Sequence, residues 1–213
     1  EDDAGVVPLE EALIVNDPAY RRRLMLSMLT EEPDAYLAQL QAAKLNDDVE
    51  VAHYAATAVA QISKESDLKL QQLERSFKTD PSAQNLNEYC DFLGEYLGSG
   101  LAEGRVAQIQ RQQYARLLAR RCEREDTLEL RIRYATALAD VGQIDEAQAV
   151  TDQLVLDVPE EQEVWMLCLR LAVMRRDGDE VHRVIDAIDK QHVYLSADNR
   201  EKLAFWRDGE EVG

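Results

Sequence analysis

The stretch TLELRIRYATALADVGQIDEAQAVTDQLVLDVPEE, residues 127–161, decides how the chain is read. Its apolar spacing predicts two helices of about 12 to 14 residues on either side of a turn at Gly142, with Pro159 closing the unit. A second stretch of the same kind follows, EQEVWMLCLRLAVMRRDGDEVHRVIDAIDK at 161–190, opened by Trp165 and with Gly178 at its turn. Successive helical hairpins of about 34 residues are the mark of a repeat architecture, in which no hairpin buries its apolar face alone.

The composition agrees. The chain has 213 residues, 46% of them hydrophobic, which is enough for a substantial core. Glycine (9) and proline (5) are scarce and aromatics are 6%, while Ala, Leu, Glu, Gln and Arg dominate, so an all-α fold is expected. The formal charge of −18 repels phosphate backbones and excludes nucleic acid as a natural partner. Charge is uneven, however: eight arginines (Arg105, Arg111, Arg116, Arg120, Arg121, Arg124, Arg131, Arg133) face four acids between 105 and 133. The bland reading is a solvated face paired to surrounding acids; the sharper one is a docking face for an acidic partner, with Arg116 and Arg120 as its candidates. Cys90, Cys122 and Cys168 are too widely spaced for a disulfide framework or a zinc site. No apolar run reaches the roughly 18 residues of a membrane span, and no signal peptide opens the chain. Because the first residue is Glu, a fragment with a missing upstream part is expected.

Upstream, residues 1–8 read as a linker. A helix is expected at about 18–30, started by Asn16 or Asp17 before Pro18, and Pro33 marks the next start, with a short helix through Leu37 and Leu40. Asp47 with Glu50 three residues later suggests a capping box. From it, Ala52, Ala55, Val59, Ile62, Ser66, Leu70, Leu73 and Phe77 form a stripe at steps of three and four, so a helix of about thirty residues, or two with a bend, is expected. Because Val51–Ala60 is small or apolar on nearly every side, His53 and Tyr54 are read as interior, structural residues, and His53→Ala is expected to lower stability. Asp80-Pro81-Ser82 opens the next helix, and GSG at 98–100 with Gly104 breaks the chain before the arginine-rich helix.

No chemical motif competes. His182 and His192 lie far from His53 and build no ligand spacing, and neither a P-loop, GxGxxG, HExxH nor a Ser-His-Asp signature occurs. Glu31-Glu32 and Glu160-Glu161 sit at helix starts, where the macrodipole favours them. Met25, Met28, Met166 and Met174 read as core or groove fillers, and Trp206 as packing a capping helix. No catalytic residue, metal, cofactor or direct small-molecule substrate is expected.

In residues 127–161, Leu128, Tyr134, Ala135, Leu138, Gly142, Ala147 and Pro159 fall where tetratricopeptide repeats (TPRs) have their large, small, turn and terminal-proline positions, so the segment resembles a TPR. Residues 162–195 resemble a degenerate one, with Trp165 as leading aromatic, Val181 at the small crossing position and a turn two residues short. Residues 81–126 look like an extended TPR-like hairpin, 9–80 like HEAT-type hairpins with a long helix, and 196–207 like a C-terminal capping helix. The resemblance implies one right-handed superhelical array of helical hairpins. In its register, groove-facing residues on the first helix of each hairpin are Ile132, Thr136 and Asp140, then Met166, Arg170 and Val173; Gly142, Ala147, Pro159 and Trp165 are structural.

The order of parts carries a closer resemblance. EEALIVNDPAYRRRLML, EEPDAYLAQLQAAKLNDDVEVAHYAATAVAQI, a long helix, EYLGSGL, TPR-like hairpins and a final FW resemble the cytoplasmic region of PelE-type proteins, and NDDVEVAHYAAT at 46–57 is the most specific element. This resemblance implies a non-catalytic scaffold in Pel exopolysaccharide synthesis, cytosolic but tethered to the bacterial inner membrane. It also implies protein partners: a PelF-type glycosyltransferase, a PelD-type cyclic-di-GMP receptor and a PelG-type membrane protein. The alternative is a free cytosolic TPR adaptor in an unrelated pathway.

Overall fold

The computed structural model describes residues 36–208. The expected linker, the 18–30 helix and the start at Pro33 lie outside them. The described residues form nine α-helices and no strand, so the fold is all-α. They divide into two compact units with a boundary between Ala102 and Glu103. That boundary falls inside 81–126, which the sequence suggested as one hairpin.

In the first unit, α1 (Leu37–Ala43) packs on α2 (Val49–Thr79), and α2 packs on α3 (Ala83–Gly98). The long stripe is thus one continuous helix of 31 residues. Its cap is Asp48, one residue later than expected, whose carboxylate accepts the Glu50 and Val51 amides. Asn46 in turn accepts the Asp48 amide at 3.0 Å, so the polar triplet divides its work and the cap falls to Asp48 and not to Asp47. Leu40, Ala43, Val51, Ala55, Ala58 and Ile62 make one apolar cluster. Farther along α2, Phe77 meets Tyr89, and the Tyr96 hydroxyl donates to Asp67 at 2.7 Å, joining α3 to α2.

His53 corrects its expectation. It is exposed, as are Ala56, Thr57 and Ala60, so α2 buries one face here and not several. Tyr54 is half-buried and packs against the Leu40 cluster. The reason is that an alanine methyl is small enough to stay exposed at little cost, so an Ala-rich run does not reveal how many of its sides are covered.

In the second unit, α4 (Gly104–Cys122), α5 (Leu128–Asp140), α6 (Ile144–Asp157), α7 (Gln162–Arg175) and α8 (Gly178–Lys190) each pack on the next, and α5 also touches α7. α9 (Ala197–Asp208) follows. The α5–α6 and α7–α8 hairpins are in register at an offset of 34 residues. Helix starts pair as Leu128 with Gln162 and Ile144 with Gly178, and caps as Thr127 with Glu161. Buried positions pair as Leu130 with Val164, Leu138 with Ala172, Ala147 with Val181 and Leu154 with Ile188. Trp165 is buried, and its indole N–H donates to the Pro159 carbonyl at 2.7 Å, fixing the link between the hairpins.

The turns repeat as well. Gly142 (φ 80°) and Arg176 (φ 57°) both take the left-handed conformation, again 34 positions apart. After each, the next amide reaches back five residues, from Gln143 to the Leu138 carbonyl and from Asp177 to that of Ala172. The second turn is therefore not two residues short; Gly178 opens α8, and an arginine occupies the glycine-favouring site. α8 ends the same way at His192 (φ 53°).

Two stability measurements follow. Replacing Arg176 by Gly relieves the crowding of its Cβ in the left-handed backbone and should stabilise by about 1 kcal/mol, whereas Gly142→Ala should cost about as much in urea titrations. His53→Ala should move the unfolding free energy by less than about 0.5 kcal/mol, as for exposed surface sites, while Tyr54→Ala costs visibly more.

Candidate functional site

α7 turns its two sides to different tasks. Trp165, Cys168, Leu169 and Ala172 join Val181, Val184, Ile185 and Ile188 of α8 in the core. Along its outer edge Met166, Arg170 and Val173, at steps of four and three, open onto a cavity of about 430 Å³. Asn199, Lys202 and Trp206 of α9 form the facing wall. α9 is placed by few contacts: Leu203 and Trp206 reach the core, and the Gln162 side-chain oxygen accepts both the Ser196 amide and the Asn199 amide group. Arg207 of α9 pairs with Asp189 at the end of α8.

The lining is predominantly apolar, and its two charged residues, Arg170 and Lys202, are both cationic. Arg170 is held by Asp140 at 2.5 Å, and Arg175 by Asp145 at 2.7 Å, two ion pairs that tie one hairpin to the next. The structure thus brings Met166, Arg170 and Val173 together in one cavity and attaches Asp140 to its edge. Ile132 and Thr136 are half-buried on α5 and do not line it. Arg116 lies elsewhere, beside Tyr134 and Glu146 on a second cavity of about 370 Å³, and Arg120 is exposed on the same helix. Asn199, Lys202 and Trp206, missed as site residues, follow each other at three and four positions, a spacing readable in the sequence. Phe205, 71% exposed, meets Trp206 edge-on at 5.2 Å.

Among the described residues none of Cys90, Cys122 and Cys168 forms a disulfide. Burial pushes the Cys168 thiol up to about 12 and raises that of Cys122, so neither offers a thiolate at neutral pH. Burial also raises the Tyr134 hydroxyl. Among the described residues no group of three or more His, Cys, Asp or Glu side chains could hold a metal ion, and no helix is long and apolar enough to cross a membrane. No family model, no curated protein and no solved structure matches the chain.

Cys168 and Tyr96 give stability an alkaline dependence. Both have folded pKa values of about 12, above the ordinary 9.0 and 10.0. The unfolded chain therefore releases these protons first, so stability should hold to about pH 9 and fall progressively towards pH 12. Chemical denaturation across that range should show the fall, shallower in Cys168→Ala.

Proposed function

We propose that this chain is a non-catalytic protein–protein interaction scaffold, built as a right-handed array of TPR-like hairpins with a HEAT-like N-terminal portion. The observation that carries the reading is the 34-residue recurrence of helix starts, caps, left-handed turns and buried positions between α5–α6 and α7–α8. Contact between α5 and α7, the first helices of successive hairpins, fits the same scheme. In such an array the first helices line one face, and there the α7–α9 cavity offers an apolar lining with Arg170 and Trp206, two residues of the types enriched in binding hot spots.

The order of sequence elements, with NDDVEVAHYAAT at its centre, supports a more specific role. We read the chain as the cytosolic region of a PelE-type protein, tethered to the bacterial inner membrane through a segment upstream. Its work is to hold together members of a Pel polysaccharide synthase: the PelF-type glycosyltransferase, the PelD-type cyclic-di-GMP receptor and the PelG-type membrane protein. Catalysis and regulation then reside in the partners, and this chain supplies geometry.

Co-purification and titration against the PelF-type glycosyltransferase and the cytosolic part of the PelD-type receptor test this reading. Saturable binding is expected, at least tenfold weaker for Val173→Glu with Lys202→Glu and unchanged for Leu156→Ala, a control on an exposed side chain. Binding untouched by the double variant moves the interface off this groove. A folded protein that binds neither partner points to an adaptor in another pathway.

A further inference from the structure

α4 is the electrostatic exception in the molecule. In a chain with 42 Asp and Glu, its sequence GRVAQIQRQQYARLLARRC holds five arginines and no acid. The fold neutralises some of the neighbouring cations: Arg131 pairs with Asp157 at 2.6 Å and Arg133 lies near Glu129. Arg121 is buried and reaches Glu125. Arg105, Arg111, Arg116 and Arg120 instead stand exposed, and among the described residues the first three make no ion pair.

Arg111 projects from another side of the helix, but Arg105, Arg116 and Arg120 line up. Arg105, Ile109, Gln112, Arg116 and Arg120 recur at steps of four, three, four and four, so they share one face of the helix over about 22 Å. Ile109 and Val106, each 56% exposed, add an aliphatic edge to the amino-terminal half of that face. The opposite face, with Ala107, Leu118 and Arg121, is buried. A cationic face interrupted by aliphatic side chains fits a helix with the complementary pattern: carboxylates at four-residue spacing beside a short apolar edge.

We propose that the exposed face of α4 docks an acidic amphipathic helix of a partner protein. Its arginines pair with the partner's carboxylates, while Val106 and Ile109 cover the partner's apolar edge. The site is separate from the α7–α9 groove and stands whether or not that groove binds anything. The protein's overall −18 charge favours the stripe, because over most of the remaining surface an acidic helix meets repulsion.

The test is fluorescence anisotropy with a labelled helical peptide of roughly 18 residues, carrying Glu at every fourth position and Leu along the adjacent edge. Saturable binding is expected, falling at least tenfold when sodium chloride is raised from about 50 mM to about 300 mM. Arg105→Glu with Arg116→Glu should abolish it without altering the helical circular dichroism or the melting curve, and Ile109→Ser should weaken it severalfold. Equal binding by a peptide of the same composition in scrambled order would overturn the proposal, as would full binding by the charge-reversed variant. Adsorption to phosphatidylglycerol vesicles without peptide binding would overturn it too, assigning the stripe to a lipid surface.

Discussion

Where α5, α6 and α7 meet, the distance between helices is set by what is missing from two side chains. Ala135 and Ala147 have no accessible surface at all, and Leu138, Leu167 and Leu171 close around them. A methyl group lets two backbones approach closely, and the leucines then interdigitate at the density of a folded interior. Thr151, also fully buried, turns its hydroxyl back to the Ala147 carbonyl at 2.8 Å and so brings no orphaned polar group into the contact. Everything downstream inherits this spacing: α7 takes its place from it, and α7 carries both the core that holds α8 and the edge that lines the cavity. In the following hairpin Val181 fills the place of Ala147, so the second crossing keeps the register with a bulkier residue.

How much of this was legible in the sequence depended on whether a position used its favoured residue. The first hairpin was plain because glycine stands at the left-handed turn and proline at its exit. Its successor hid the equivalent turn behind Arg176, and the nearby Gly178 drew the reading two places away from it. In α2 the apolar stripe gave length and direction correctly, but small residues around Val51–Ala60 carry no record of which sides are covered, and His53 was placed inside when it lies outside. The groove was half visible. Met166, Arg170 and Val173 followed from register alone, whereas the facing wall belongs to a helix whose position is fixed by tertiary contacts, such as those of Gln162, that no local pattern announces.

Charge is arranged with similar economy. Most acids lie on exposed faces or at helix starts, where they cap or face the positive end of the macrodipole, and the ion pairs Asp140–Arg170 and Asp145–Arg175 cross from one hairpin to the next. Such exposed pairs add little stability individually; their use is in aligning neighbours whose apolar packing alone would tolerate sliding. α4 follows no such scheme, since it carries five arginines and no acid.

α9 stands between two hollows. One is the cavity it shares with α7; the other, of about 470 Å³, is bordered by Ile188, Val193, Tyr194, Leu203 and Arg207. It is held at a few points: two core side chains, the Gln162 hydrogen bonds and the Arg207–Asp189 pair. The two jaws of the groove are therefore fastened differently: α7 lies within the packed hairpin, whereas α9 is a clasp fixed by two apolar side chains and a handful of polar contacts.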